Sequence, residues 1–312
     1  MSTRPLQVIY FVATPARVSF RRTGGDVSRH LHTIWVAIET LAHSAEVRPP
    51  DLHLGWTKPN TSVEWNDTRD FATKAAMTSV LDGVDQYLKV LQRIPGLTDP
   101  GLEEVLKGTA RTQRGSRLTI FARLTAVIAH YGCAVTPEQT AAVELLATWR
   151  NQFVHGDYRH PISRQSRQML ASAAPYFRAA QGGADIMGAL ARFDARHGPS
   201  FADLVTLITT CQLVIGTLDE HLIHLQPAAE LAVAVTAFVL RQDLDPPALL
   251  ERLFSQGGRR SSGAVLSLLH RMGVAKTQGY TGSAPSLPRP AFDGVMGMGR
   301  NAASDLFGVP RP

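Results

Sequence analysis

Residues 136–156 read TPEQTAAVELLATWRNQFVHG. Thr136 stands where a helix N-cap stands, Pro137 fits the first helical position, and Gln139 completes a capping box three residues on. From there, at about 100° per residue, Ala142, Leu145, Leu146, Trp149 and Phe153 fall on one face. Gly156 is a good left-handed cap residue, so the helix is expected to stop there. The stretch predicts one amphipathic helix that buries an apolar stripe and ends in a polar cluster.

The same periodicity recurs on both sides of it. Residues 26–47 read as an amphipathic helix with Leu31, Ile34, Ile38 and Leu41 on one face. A loop broken by Pro49, Pro50 and Pro59 follows. Residues 66–94 form a long helix, with Phe71, Ala75, Thr78, Leu81, Val84, Leu88 and Leu91 assigned to its core face. A basic connector, KGTARTQRGSR (107–117), leads into a helix over 118–132. Further helices are expected over 163–180, 198–225 and 227–242, and residues 245–274 read as helix, glycine-arginine turn, helix. Residues 1–25 look irregular or weakly stranded. The end of the chain is rich in Gly, Pro and Ser and is expected to be extended or disordered. The fold class is all-α. The expected division is an N-terminal helical extension (1–59), a helical domain (60–225), a C-terminal helical segment (226–277) and a flexible tail (278–312).

Composition narrows the function classes. With 312 residues and 44% apolar content the chain can build a large core. No run approaching the roughly eighteen apolar residues of a membrane span is read, the best being LAVAVTAFVL at 231–240. Arg17, Arg21 and Arg22 follow the N-terminal apolar patch where a cleavage site would sit, so no signal peptide is assigned. Cys133 and Cys211 lack a C-x-x-C context, which argues against a disulfide scaffold or zinc module and fits a cytoplasmic protein. The net charge of +6 leans mildly toward nucleic acid.

The polar end of the 136–156 helix carries the chemistry. Asn151 and His155 are four apart and so are neighbours, on the face opposite the core stripe. Arg150 sits at the edge of the core face, roughly 140° from His155. One straight helix does not bring Arg150 and His155 onto a shared substrate; a second copy packed nearby would. Imidazole titrates near neutrality and can move protons. A guanidinium fork stabilises charge on phosphoryl oxygens. Together they suit RNA cleavage by attack of the 2′-hydroxyl on the adjacent phosphate. No metal-binding or cofactor motif is read, and neither group is expected.

At Arg150, Asn151, His155 and Gly156 the sequence RNQFVHG resembles the HEPN superfamily, whose hallmark is R-N-x-x-x-H followed by a small residue late in a helical bundle. The resemblance covers about residues 60–180 and extends more loosely to 225. It implies an antiparallel helical bundle, a homodimer with a composite cleft, and metal-independent endoribonuclease activity in a toxin–antitoxin, antiphage or RNA-processing role, with a neutralising partner protein possible in the first. It assigns proton transfer to His155, phosphate and transition-state binding to Arg150, and orientation to Asn151. Some members of the superfamily are catalytically inactive binding modules, so a module that binds RNA, a nucleotide or a partner protein stays open here. One branch pairs its histidine with a tyrosine two positions later; here position 157 is Asp and Tyr158 comes one residue late.

Other residues are weighed beside these. Arg111, Arg114 and Arg117 of the connector, with Arg159 and His160 after the motif, are candidate RNA contacts; a solvated loop is the alternative for the connector. A polar helix end, with Arg150 lying over Trp149, is the alternative for the motif. His221 and His224 could share a metal but lack a third ligand, and His30 and His32 read as surface residues.

Overall fold

The computed structural model describes residues 7–43, 62–155, 160–180, 183–277, 280 and 282–310, with only the backbone of His155. The fold is all-α, with 73% of the described residues helical. The helices follow in chain order as α1 (Pro15–Phe20), a π-helical turn (Arg21–Gly25), α2 (Val27–His43), α3 (Ser62–Arg93), α4 (Glu103–Lys107), α5 (Ile120–Tyr131), α6 (Pro137–His155), α7 (Arg164–Ser172), α8 (Ala174–Ala180), α9 (Ile186–Asp194), α10 (Phe201–His224), α11 (Ala228–Gln242), α12 (Pro246–Phe254), α13 (Gly258–Arg271), α14 (Arg289–Met296) and α15 (Arg300–Phe307).

Contacts divide the chain into two units, and the division is not the linear one expected from the sequence. One unit holds residues 1–20, 85–134 and 215–312; the other holds 21–84 and 135–214. The stretch from 60 to 225, expected as one domain, is therefore shared between them. Helices α3 and α10 are long enough to supply residues to both, which a reading of boundaries along the chain cannot register.

In the first unit α11, α12, α13, α14 and α15 pack on one another. A small sheet joins them, ordered β2 (Ala275–Lys276), β1 (Val8–Phe11), β3 (Ser286–Pro288), both pairs antiparallel. Ile9 and Phe11 alternate inward along β1 and are fully buried. The expectation of a disordered tail is overturned: residues 286–307 form β3, α14 and α15. Phe292, Met296, Ala303 and Phe307 are buried, and the Phe307 ring lies 5.6 Å from that of Phe254. Several of the prolines and glycines that gave the tail its disordered composition stand at the ends of these helices, Pro288 before α14, Gly297 and Gly299 between the two, and Gly308 after α15.

In the second unit α6 packs on α7, α7 on α8 and α9, and α2 on the π turn. The helix expected over 163–180 is two, breaking at Ala173, because Pro175 is accommodated only in the first turn of a new helix. The core face of α3 also departs from expectation. Ala72, Ala76, Met77 and Val80 are buried, whereas Phe71 is 75% exposed. These four buried residues carry the stripe of Leu81, Val84, Leu88 and Leu91 back toward the start of α3, and Phe71, about 80–160° away around the helix, stands off it. Ile34 on α2 is likewise 45% exposed, although Leu31 and Ile38 are buried.

The apolar run of one helix exceeds the length expected from the sequence. Helix α10 is long and apolar enough to cross a membrane by length and composition, and 56% of that window is buried inside the protein. The sequence reading missed it because Asp203 and Asp219 interrupt the run. Both are buried. Asp203 accepts a two-pronged pair from Arg192 at 2.7 Å each. Asp219 accepts from the backbone N–H of Thr14 at 3.0 Å and from its hydroxyl at 2.5 Å.

Candidate functional site

The helix that carries the motif begins as its sequence dictates. The Thr136 backbone N–H donates to Gln139 Oε1 at 3.1 Å, and the Gln139 N–H donates back to Thr136 Oγ1 at 3.4 Å, the reciprocal pair of a capping box. Ala142, Leu145, Leu146 and Trp149 are fully buried, as the periodicity requires. Trp149 anchors the last turns of the helix. Its Nε1–H donates to the His197 carbonyl at 3.0 Å and its ring meets Phe193 edge-on at 5.8 Å.

Phe153, one turn further on, is only half-buried. Gly198 lies against it: a Cβ there would come within 3.0 Å of the Phe153 ring, so the close approach depends on glycine. On another side the Lys74 ammonium stands 4.9 Å from the Phe153 ring centroid, within cation–π range. The end of α6 is thus held by α3, by α9 and by the loop before α10.

Arg150 and Asn151 share the final turns of this helix, both half-buried, and Arg150 Nη1 donates to Asn151 Oδ1 at 3.1 Å. The amide expected beside the imidazole is therefore bonded to the guanidinium. His155 closes α6 by its backbone; its side chain, the Gly156 cap and Arg159 lie outside the described residues. His160 is exposed in the loop before α7.

That loop is tied down by a residue the sequence reading passed over. Glu144, in the middle of α6, accepts from the Ser163 N–H at 2.7 Å, from the Ser163 hydroxyl at 3.0 Å and from the Ser166 hydroxyl. Ser163 in turn caps α7, accepting from the Ser166 N–H at 3.1 Å. The S-x-x-S spacing marks a cap in the sequence, but nothing there indicates that a glutamate from another helix completes it. Beyond it, Arg167 on α7 pairs with Asp194 on α9 at 2.6 and 2.8 Å, which holds the Asp194 carboxyl below its ordinary pKa.

The arginines of the connector belong to the other unit. They are not on a plain loop. Arg111 and Arg117 face each other across an antiparallel bridge, Thr112 N–H donates to the Ser116 carbonyl at 2.7 Å, and Gly115 turns the chain with a φ of 80°. Arg111, Arg114 and Arg117 are all exposed on this hairpin, and Arg111 Nη1 donates to the Gly115 carbonyl at 2.6 Å. Its base is fixed by Arg123, which is buried, pairs with Asp85 and donates to the carbonyls of Val105 and Leu106 at 2.6 and 2.5 Å.

His221 and His224, weighed as a metal pair, are both engaged by backbone. His221 Nε2 bonds the Tyr131 carbonyl at 2.9 Å, and His224 bonds those of Glu220 and Ser283 at 2.7 and 2.8 Å. His32 lies edge-on to Phe201 at 4.8 Å, and His30 is exposed. Among the described residues no group of three or more His, Cys, Asp or Glu side chains is placed to hold a metal ion. No family model, curated protein or solved structure matches this chain.

Proposed function

We propose that the protein is a HEPN-like endoribonuclease that cleaves RNA by 2′-hydroxyl attack on the adjacent phosphate without a metal ion. The observation that carries the reading is the end of α6, where Arg150 and Asn151 are bonded to each other one turn before the histidine that closes the helix. In this reading His155 moves the proton, Arg150 stabilises the charge that develops on the phosphoryl oxygens, and Asn151 fixes the guanidinium. The active form is a homodimer, in which two copies of the motif contribute to one cleft. The hairpin arginines Arg111, Arg114 and Arg117 contact the RNA backbone, where exposed guanidinium groups meet phosphates well.

The product ends test this reading. Cleavage should leave a 2′,3′-cyclic phosphate on the 5′ fragment, and DNA or fully 2′-O-methylated RNA should resist. Arg150→Ala should slow cleavage about 10²–10³-fold, the loss seen when one donor to a developing oxyanion is removed. Products ending in a linear 5′-phosphate and 3′-hydroxyl would rule out the mechanism. One observation favours a second reading, a non-catalytic module that binds RNA or a partner protein. Arg150 is half-buried and engaged with its own neighbour, as a side chain that closes a helix end would be.

A further inference from the structure

Among the described residues of the second unit Phe71 is the most exposed phenylalanine, on a helix whose neighbouring turns are packed. It lines a groove of about 490 Å³ with Lys74, Thr78, Asp82 and, from the end of α6, Val154. That volume lies within the ~300–1,000 Å³ of sites that take small ligands. A second depression, of about 190 Å³, shares Thr23, Ala75 and Ser79 with the first and continues it to Arg22 and His30. The two adjoin along α3, and together, as a channel, their linings reach from the residue before His155 to the π turn.

The channel's far wall is held in shape. Residues 21–25 form a π-helix, a rare conformation that is frequent at functional sites. Two other helices clamp it: Ser79 Oγ on α3 donates to the Thr23 carbonyl at 2.9 Å, and Gln212 Nε2 on α10 donates to the carbonyls of Gly24 and Gly25 at 3.0 Å each. Arg22 is thereby carried to the rim, exposed. The charges are uneven. Arg22 and Lys74 line the channel with Asp26 and Asp82, and Asp26 is offset by its pairing with Arg29 at 3.1 Å, which leaves Asp82 as the one carboxylate there without a salt bridge among those described. An exposed aromatic side chain on the same helix as Lys74, with Arg22 lining the second depression and a carboxylate able to accept from a base amino group, offers the stacking and phosphate contacts that a single strand uses.

We propose that this channel takes a single-stranded segment of the RNA and leads it to the end of α6, with a base stacked on Phe71 and flanking phosphates on Lys74 and Arg22. The proposal rests on the endoribonuclease reading for the identity of the strand, and its test separates the two.

A fully 2′-O-methylated, fluorescein-labelled ten-nucleotide RNA, which cannot be cleaved by its own 2′-hydroxyl, is titrated with the full-length protein and followed by anisotropy. Phe71→Ala should weaken binding about 5- to 150-fold, and Phe71→Trp should restore it. Lys74→Ala and Arg22→Ala should each reduce the slope of log affinity against log salt by about 0.7. Arg300→Ala, in the other unit, should bind as wild type does. All four positions are exposed, and melting curves verify that each variant is folded. Failure of the wild type to bind, or binding that Phe71→Ala and Lys74→Ala leave unchanged, overturns the channel. A Phe71→Ala effect on oligomer mass with unchanged RNA affinity overturns it in favour of a contact between copies. Cleavage of natural RNA alongside any of these failures leaves the nuclease reading standing. Binding through the channel without cleavage defeats the nuclease reading alone.

Discussion

Trp149 joins the packing of the second unit to the placement of the motif. Its ring fills the core, and its one polar atom bonds the His197 carbonyl, so the residue that precedes Arg150 is fixed in position and rotation. Trp149→Phe keeps most of the ring but leaves that carbonyl without its donor, and should cost about 1–3 kcal/mol, read as a lower melting temperature. Cleavage should fall with it, because Arg150 would lose the rotational anchor beside it. The burial of Trp149 was legible from the spacing of Ala142, Leu145 and Leu146. Its partner was not, because His197 is 48 residues away along the chain. Phe71 failed in the opposite direction. It shares a three-to-four-residue spacing with Ala75 and Thr78, but at 100° per residue Phe71 lies about 80–160° from Leu81, Val84, Leu88 and Leu91, whose stripe runs back through Val80, Met77 and Ala76 instead.

At the scale of the element, α6 was the most legible part of the chain, since capping box, stripe and motif all lie in consecutive residues. The link from α6 to α7 was not, because Glu144 reads as one polar residue among others until the chain returns to it. Glu144→Ala removes the acceptor for one backbone N–H and two hydroxyls. The two Ser163 donors lie near solvent, whereas Ser166 is buried, so water replaces only part of what is lost, and the expected cost is about 1–2 kcal/mol. Faster amide hydrogen exchange over residues 160–166, with α5 unaffected, would check it. The terminal helices α14 and α15 give a related lesson. Gly and Pro counted by composition suggested disorder, whereas counted by position they cap two short helices whose buried residues are Phe292, Met296 and Phe307. Their apolar residues are too few in each helix for periodicity to stand out.

Over the whole molecule, the all-α class followed from the repeated 3.6-residue pattern, but the assignment of helices to units did not, since α3 and α10 serve both. Each unit carries carboxylates whose pKa is held low. The Arg167 pair lowers that of Asp194; at Asp85 burial pushes upward and is outweighed by Lys89 and Arg123; at Asp293 burial is outweighed by Ser262 and Arg289. A carboxyl with a depressed folded pKa contributes stability that is present above its unfolded pKa, about 3.9, and is lost as pH falls through the folded value. The melting temperature should therefore hold from neutral to about pH 5 and drop below about pH 4. Arg167→Ala should make that drop shallower while lowering the neutral value only slightly, because the pair is largely exposed and worth about 0.2–1 kcal/mol. A melting temperature equally steep in acid with and without Arg167 would contradict the assignment.

The central claim is that the end of α6 cleaves RNA, and one measurement reaches it most directly. Mixed single-stranded RNA is incubated in EDTA with wild-type protein and with His155→Ala, and initial rates and melting temperatures are compared. The account predicts cleavage by the wild type, a rate about 10²–10⁴-fold lower for the variant, as for loss of a positioned proton-transfer group, and equal melting temperatures. Cleavage at the wild-type rate by a folded His155→Ala protein, or no cleavage of any RNA by the wild type, would contradict it.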